Sequence, residues 1–234
     1  MGSTPSVLLL GIGNVLWADE GFGVRTVEAI HRNYEFPGNV VLMDGGTQGI
    51  YLIQHVRVAD ILIVFDAIDY GLAPGTMKLV EGDEVPNFMA AKKMSLHQTG
   101  FQEVLAMAEM LDGFPQHLLL IGVQPAVLDD FGGSLRPEVK AKIDPAMASA
   151  IAYLSGHGVS ASLRNRPLAA DTLLAPPALD MTGYEAERPS ADAACRLGDA
   201  RVLVSDHYKL RYQAIPLKGA RLGVNLDHHL DKYR

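Results

Sequence analysis

The chain has 234 residues, 48% of them apolar, with 20 Lys/Arg against 27 Asp/Glu and a formal net charge of −7. Length and composition suit one α/β domain of roughly 150 residues plus an appendage. The single cysteine, Cys195, excludes an internal disulfide and any multi-thiolate zinc or iron–sulfur site. Residues 1–156 carry 9 Lys/Arg against 18 Asp/Glu, and so acidic a body argues against nucleic acid, whose phosphates need a basic face.

No apolar run approaches the roughly 18 residues that span a bilayer, and the start, Met1 to Pro5, lacks the basic head of an export signal. A cytoplasmic protein with no membrane partner is expected. Val7 to Gly11 is a short apolar run ending in glycines, as in a strand buried on both faces. Asp19 or Glu20 opens the next helix, whose apolar residues are Phe22, Val24, Val27, Ala29 and Ile30. Val40 to Met43 is a second strand ending at Asp44, Ile50 to Val56 a short helix, and Ile61 to Phe65 a third strand ending at Asp66. After the Pro74-Gly75 turn, the alternation in Met77 to Glu81 predicts an antiparallel strand.

The loop Ser95 to Gly100, carrying His97, precedes a helix with Phe101, Val104, Leu105, Ala108 and Leu111 on one side, stopped by Gly113-Phe114-Pro115. Leu118 to Val123 is another buried strand. A last helix runs from Ser134 and Pro137 to about Leu154, and Pro145 should kink or split it. Strands alternating with helices imply a mostly parallel sheet covered on both faces, with ligands beyond the carboxyl ends of its strands. Residues 1–158 form the expected domain. The composition of 159–200, rich in Ala, Pro, Asp and Arg, suggests a flexible linker. Residues 201–234 are a small extension in which Val202 to Val204 and Tyr208 to Leu217 could pair; its His228-His229 reads as solvated.

Asp19-Glu20, Asp44 and Asp66 each end an apolar segment, and His97 lies in a fourth small-residue loop. Carboxylates beside apolar sheet ends cost several kcal/mol unless something positive compensates them, so a shared metal site is a natural reading. Glu20, Asp66 and His97 make a mixed oxygen and nitrogen set with open positions, suited to Ni²⁺ or Zn²⁺. Taken singly, each has a plainer role: helix first-turn charge, loop cap, packed polar residue. Asp44-Gly45-Gly46-Thr47 is either a tight turn or a place where a peptide or ligand approaches closely, with Asp44 as the base that activates water. Gly11-Ile12-Gly13 lacks the third glycine of a dinucleotide fingerprint, because position 16 is Leu16, and Asp19-Glu20 would repel a pyrophosphate. There is no G-x-S-x-G elbow, and no base stands beside Cys195 in the sequence.

Together, Gly11-x-Gly13-Asn14-x-Leu16-x-x-Asp19-Glu20-Gly21-x-Gly23-Val24-Arg25, Asp44-Gly45-Gly46-Thr47, Asp66-Ala67 and His97-Gln98-x-Gly100 resemble the maturation endopeptidases of [NiFe]-hydrogenases. The resemblance covers roughly residues 6–156. It implies a three-layer α/β/α fold with a five-stranded, mostly parallel twisted sheet. It also implies a cytoplasmic, monomeric, nickel-dependent endopeptidase of aspartic or metal-sensing type. The partner would be the hydrogenase large-subunit precursor, whose C-terminal extension is removed after nickel insertion. By position, Glu20, Asp66 and His97 match the family's contacts to a substrate-borne nickel, and Asp44 its catalytic or recognition aspartate. Asp44 and Asp19 are then the candidates for activating water. The alternative on the same fold is a nickel-binding hydrogenase chaperone that cuts nothing.

Overall fold

The computed structural model describes residues 4–86, 96–169, 172 and 174–188, with the backbone alone for 96–99. In chain order the elements are β1 (Val7–Ile12), α1 (Phe22–Asn33), β2 (Tyr34–Glu35), β3 (Val40–Gly46), α2 (Ile53–Val56), β4 (Ile61–Ala67), β5 (Met77–Glu81), α3 (Leu96–Met110), β6 (His117–Val123), α4 (Pro137–Lys140), α5 (Ile143–Gly156), β7 (Ser162–Leu163) and α6 (Met181–Ala186). Short 3-10 turns cover Ala18–Gly21, Gly49–Leu52 and Pro177–Leu179. Five strands form one sheet in the order β3-β1-β4-β6-β5. All neighbours are parallel except β5, which runs antiparallel to β6. The expected three-layer α/β/α architecture is therefore present.

Alternation along each strand divides the core into two. Leu9, Ile63, Phe65, Leu119 and Ile121 face α1 and α5, where Phe22, Ile30, Ala146 and Ala150 meet them. Leu8, Leu10, Leu62, Val64 and Leu120 face α2 and α3, where Val56, Phe101, Val104 and Leu105 close over them. Each fully buried aromatic or aliphatic side chain of this kind stabilises the fold by about 1.5–3 kcal/mol. β3 is the exception to the reading of wholly buried strands: it is a sheet edge, and Val41 remains 48% exposed.

Glycines in β1 and at the start of α1 serve close packing. A Cβ on Gly23, in the first turn of α1, would lie 2.1 Å from the Phe65 carbonyl oxygen and 2.3 Å from that of Ile12. One on Gly11 would lie 2.4 Å from the Gly23 carbonyl oxygen. Helix α1 thus starts directly against the ends of β1 and β4, which puts Asp19 and Glu20 at the rim of the sheet.

The helix expected from Pro137 to Leu154 is indeed split. The break falls at 141–142, and Pro145 sits in the first turn of α5, where its missing N–H leaves no bond unmade. Helix α3 begins at Leu96, so the backbone of His97 is in a helical first turn and not in the loop predicted for it.

The flexible linker predicted from residue 159 is corrected as far as the chain is described. β7 pairs antiparallel with β2, and residues 176–188 lie along α1, α4 and the loop after β6. Arg32 binds Asp180 at 2.8 Å, Lys140 binds Glu185 at 2.7 Å, and Arg188 binds Asp130 at 3.0 Å. The absence of a regular apolar period concealed this docking, because prolines and charges interrupt the segment; its charged contacts act together with Leu174 and Met181, which pack against the core. Cys195, His228, His229 and the strand pair expected in 201–234 lie outside the described residues. No described helix is long and apolar enough to cross a membrane.

The close packing predicts that Gly23→Ala lowers the melting temperature by roughly 6–12 °C, the equivalent of about 3 kcal/mol of overpacking. Gly38→Ala, which meets nothing within 4 Å, should leave it unchanged; thermal denaturation of both variants checks this.

Candidate functional site

The strand register brings the sequence-predicted carboxylates to one end of the sheet. Gly11 of β1 is level with Asp44 on β3 and with Phe65, the neighbour of Asp66, on β4. Glu20 closes the gap between them, since its carbonyl would lie 1.8 Å from a Cβ on Gly13, a glycine at φ 122°. The expected common rim exists.

Its members do not face the same way. Asp44 has the parity of Val40 and Leu42, which pack on the α1 side, whereas Asp66 has the parity of Leu62 and Val64, which pack on the α3 side. The two carboxylates leave the sheet from opposite faces. Asp44 lines a cleft of about 130 Å³ with Gly13, Asn14, Val15, Val24, Gly46 and Thr47. Burial raises its pKa above the usual aspartate value, while the Gly46 amide and the Arg25 charge pull it partly back. Asp66 is 1% exposed. The Tyr70 hydroxyl lies over Gly122, the strand partner of Asp66. Burial and the negative charge of Asp66 push the Tyr70 pKa up, so this phenol stays protonated beside the carboxylate. Glu20 is desolvated at the rim, and its pKa rises from 4.5 to about 7. Among the described residues no three His, Cys, Asp or Glu side chains are gathered for a metal ion. The imidazole of His97 is outside the described set; its backbone opens α3, the helix that covers the Asp66 face.

Asp19, expected as a water-activating base, has another task. Its side chain has no exposed surface. The amides of Ala126 and Val127 donate to Oδ2 at 2.8 Å each, and that of Arg136 donates to Oδ1 at 2.7 Å. Both oxygens are thereby committed to the loop that follows β6. The turn is held further by Asp19 N–H donating to Val127 O and Gly132 N–H to Leu16 O. These bonds offset the cost of Ala18 at φ 43°, a backbone region that costs a residue with a Cβ roughly 1–2 kcal/mol. Asp19 shapes the turn that presents Glu20 and is not placed to take a proton from water.

Three contributors had no role assigned in the sequence reading. Arg25 is buried, pairs with Glu28 at 3.3 Å and acts electrostatically on Asp44. Its place on an otherwise apolar helix start, at Val24-Arg25, was the available signal. Gln124 accepts from the amides of Tyr70 and Leu72 at 2.7 and 3.1 Å and donates to Asp69 at 3.0 Å, pinning the loop after β4. Tyr70 carried no signal, because its relation to Asp66 arises through Gly122 on another strand.

A parallel-sheet α/β protein with carboxylates and a glycine-lined cleft at the carboxyl ends of its strands fits an enzyme that binds its substrate beyond the strand ends and uses a carboxylate in acid–base chemistry. The sequence model of the hydrogenase maturation proteases matches residues 24–153, which include Asp44, Asp66 and His97 but not Asp19 or Glu20. The hydrogenase expression/formation protein HupD of Thiocapsa roseopersicina is 62% identical over 205 residues, 88% of this chain and 93% of that protein. An alignment of that length runs through residues 176–188 wherever it begins. The hydrogenase 2 maturation protease of Escherichia coli (strain K12) is 42% identical over 156 residues, 66% of this chain and 94% of that protein. The solved structure of the hydrogenase maturating endopeptidase HybD from E. coli superposes with a TM-score of 0.65 at 41% identity, covering 68% of this chain and 97% of that one. The chain belongs to the hydrogenase maturation protease family, and it is an endopeptidase.

Two outcomes follow from these environments. Asp19→Asn places an amide N–H against backbone N–H donors, so it should cost at least about 3 kcal/mol in urea denaturation, given about 1.5–3 kcal/mol per hydrogen bond to a charged acceptor; the fraction that stays folded should still cut, at a reduced rate set by the displaced turn. Glu20 binds its proton more tightly folded than unfolded, so its effect on stability is fully favourable below about pH 4.5 and is lost as pH rises toward 7. The melting temperature of Glu20→Gln should therefore gain on that of the parent protein between pH 5 and pH 7.5.

Proposed function

We propose that this protein cuts the C-terminal extension from the large-subunit precursor of a [NiFe]-hydrogenase once nickel is in place, acting as a cytoplasmic monomer. The nickel belongs to the substrate. Glu20, Asp66 and His97 are its contacts: two oxygens and one nitrogen leave most coordination positions to ligands of the precursor. A carboxyl group held near neutrality by desolvation, as Glu20 is, loses its proton readily once a cation arrives. Such a site responds to metal without storing it.

The observation that carries the reading is Asp44 in its glycine-lined cleft at the same sheet end. Gly46, where a Cβ would meet nothing nearer than Asp44 Oδ1 at 3.5 Å, leaves room for a peptide backbone, and the raised pKa brings Asp44 nearer the range useful to a general base. In this reading Asp44 orients or deprotonates the attacking water from the α1 face. The substrate's metal acts from the α3 face, polarising the scissile carbonyl or acidifying a bound water. Asp19, with both oxygens bonded to amides, supports the turn.

Incubation of nickel-loaded and nickel-free precursor with the protein, followed by mass measurement of the large subunit, tests the proposal. Cleavage of the loaded form alone is expected, and equal cleavage of both would defeat nickel sensing. Asp44→Asn should leave the extended precursor uncut, as should His97→Ala, with each variant melting within a few degrees of the parent. A nickel-binding chaperone would instead leave the precursor full-length even with the parent protein.

A further inference from the structure

Residues 176–188 grip the same loop that Asp19 holds from inside. On the outer side, Glu185 accepts from Ser134 Oγ at 2.7 Å and from Lys140 Nζ at 2.7 and 2.9 Å. Arg188 Nη2 reaches Asp130 Oδ2 at 3.0 Å, and Arg136 Nη2 meets the same oxygen at 2.8 Å. The backbone N–H of Arg136 is in turn one of the three donors to Asp19. A continuous path therefore runs from Arg188 through Asp130 and Arg136 to Asp19, whose chain neighbour is Glu20. A second arm reaches Asp44: Arg25 donates to the Leu179 carbonyl and lies 5.6 Å from the centre of the Tyr184 ring, while its charge acts on Asp44.

We propose that residues 176–188 are a clasp that positions the active-site rim, with Glu185 and Arg188 as positioning residues for the Asp19-Glu20 turn. The inference rests on the protease reading for its activity arm. Stability is a poor account of these contacts. The Lys140–Glu185 pair is partly exposed, at 40% and 32%, and such a pair adds little to folding free energy; Arg188–Asp130 is more buried, at 22% and 10%, where desolvation offsets much of the attraction. Their geometric yield is larger, because a loop bonded on both sides has one position, and small displacements of a reacting group cost large factors in rate. The clasp also lies in the part of the chain shared with the HupD relative.

The test is the double variant Glu185→Gln/Arg188→Gln in the full-length protein, assayed on nickel-loaded precursor. A fall in kcat of about tenfold or more is expected, with KM within twofold and the melting temperature within about 3 °C. Arg188→Lys, combined with the native Glu185, should recover most of the rate. Amide hydrogen exchange at Ala126, Val127 and Arg136 should quicken in the double variant. Unchanged kcat with unchanged exchange at those amides overturns the clasp, and so does a rate loss that merely follows a loss of stability. If the parent protein itself leaves the precursor intact, the protease reading fails; the exchange measurement then decides the clasp by itself.

Discussion

Asp19 carries a carboxylate into a place with no solvent, and three backbone N–H groups meet it there. A buried charge so satisfied is strongly held, because removing any partner exposes the desolvation cost of the rest. Its consequence is geometric. The turn after β1 and the loop after β6, separated by more than a hundred residues, become one unit at the carboxyl end of the sheet. Glu20 takes its place from that unit, and so does the loop that Glu185 and Arg188 hold from outside.

The close contact of α1 with β1 and β4 completes the frame. Glycines at 11, 13 and 23 remove the side chains that would keep the turn away from the strands. With the helix start so near, the sheet edge separates two chemical environments. Asp44 shares the α1 side with Arg25 and Glu28, and Asp66 shares the α3 side with Tyr70 and the helix that carries His97. A chain end lying across the rim would meet Asp44 on one side and Asp66 on the other.

Much of this was legible in the residues. Apolar runs at Val7, Ile61 and Leu118 identified the buried strands, because a parallel sheet covered on both faces needs no polar alternation. The alternation in Met77 to Glu81 revealed the antiparallel edge. His97 was displaced from loop to helix because Ser, Gln, Thr and Gly give a helix start the composition of a turn. The docking of residues 176–188 was hidden because Asp180, Glu185 and Arg188 resemble solvated charges until Arg32, Lys140 and Asp130 stand opposite them.

What the sequence by itself determined is the strand order in time, the glycine turns and the set of carboxylates at strand ends, all set by local pattern and spacing. It also carried enough linked motifs to indicate the family. Only the tertiary structure decided what neighbouring acids do. Asp19 and Glu20 are adjacent and similar in the chain, yet one accepts three amides from a remote loop while the other keeps its carboxyl at the rim with a pKa near 7. Likewise, strand register placed Asp44 level with Phe65 and so one residue short of Asp66, and side-chain alternation sent the two carboxylates to opposite faces. A carboxylate's role depends on the donors and dielectric around it, and those are supplied by segments distant in sequence.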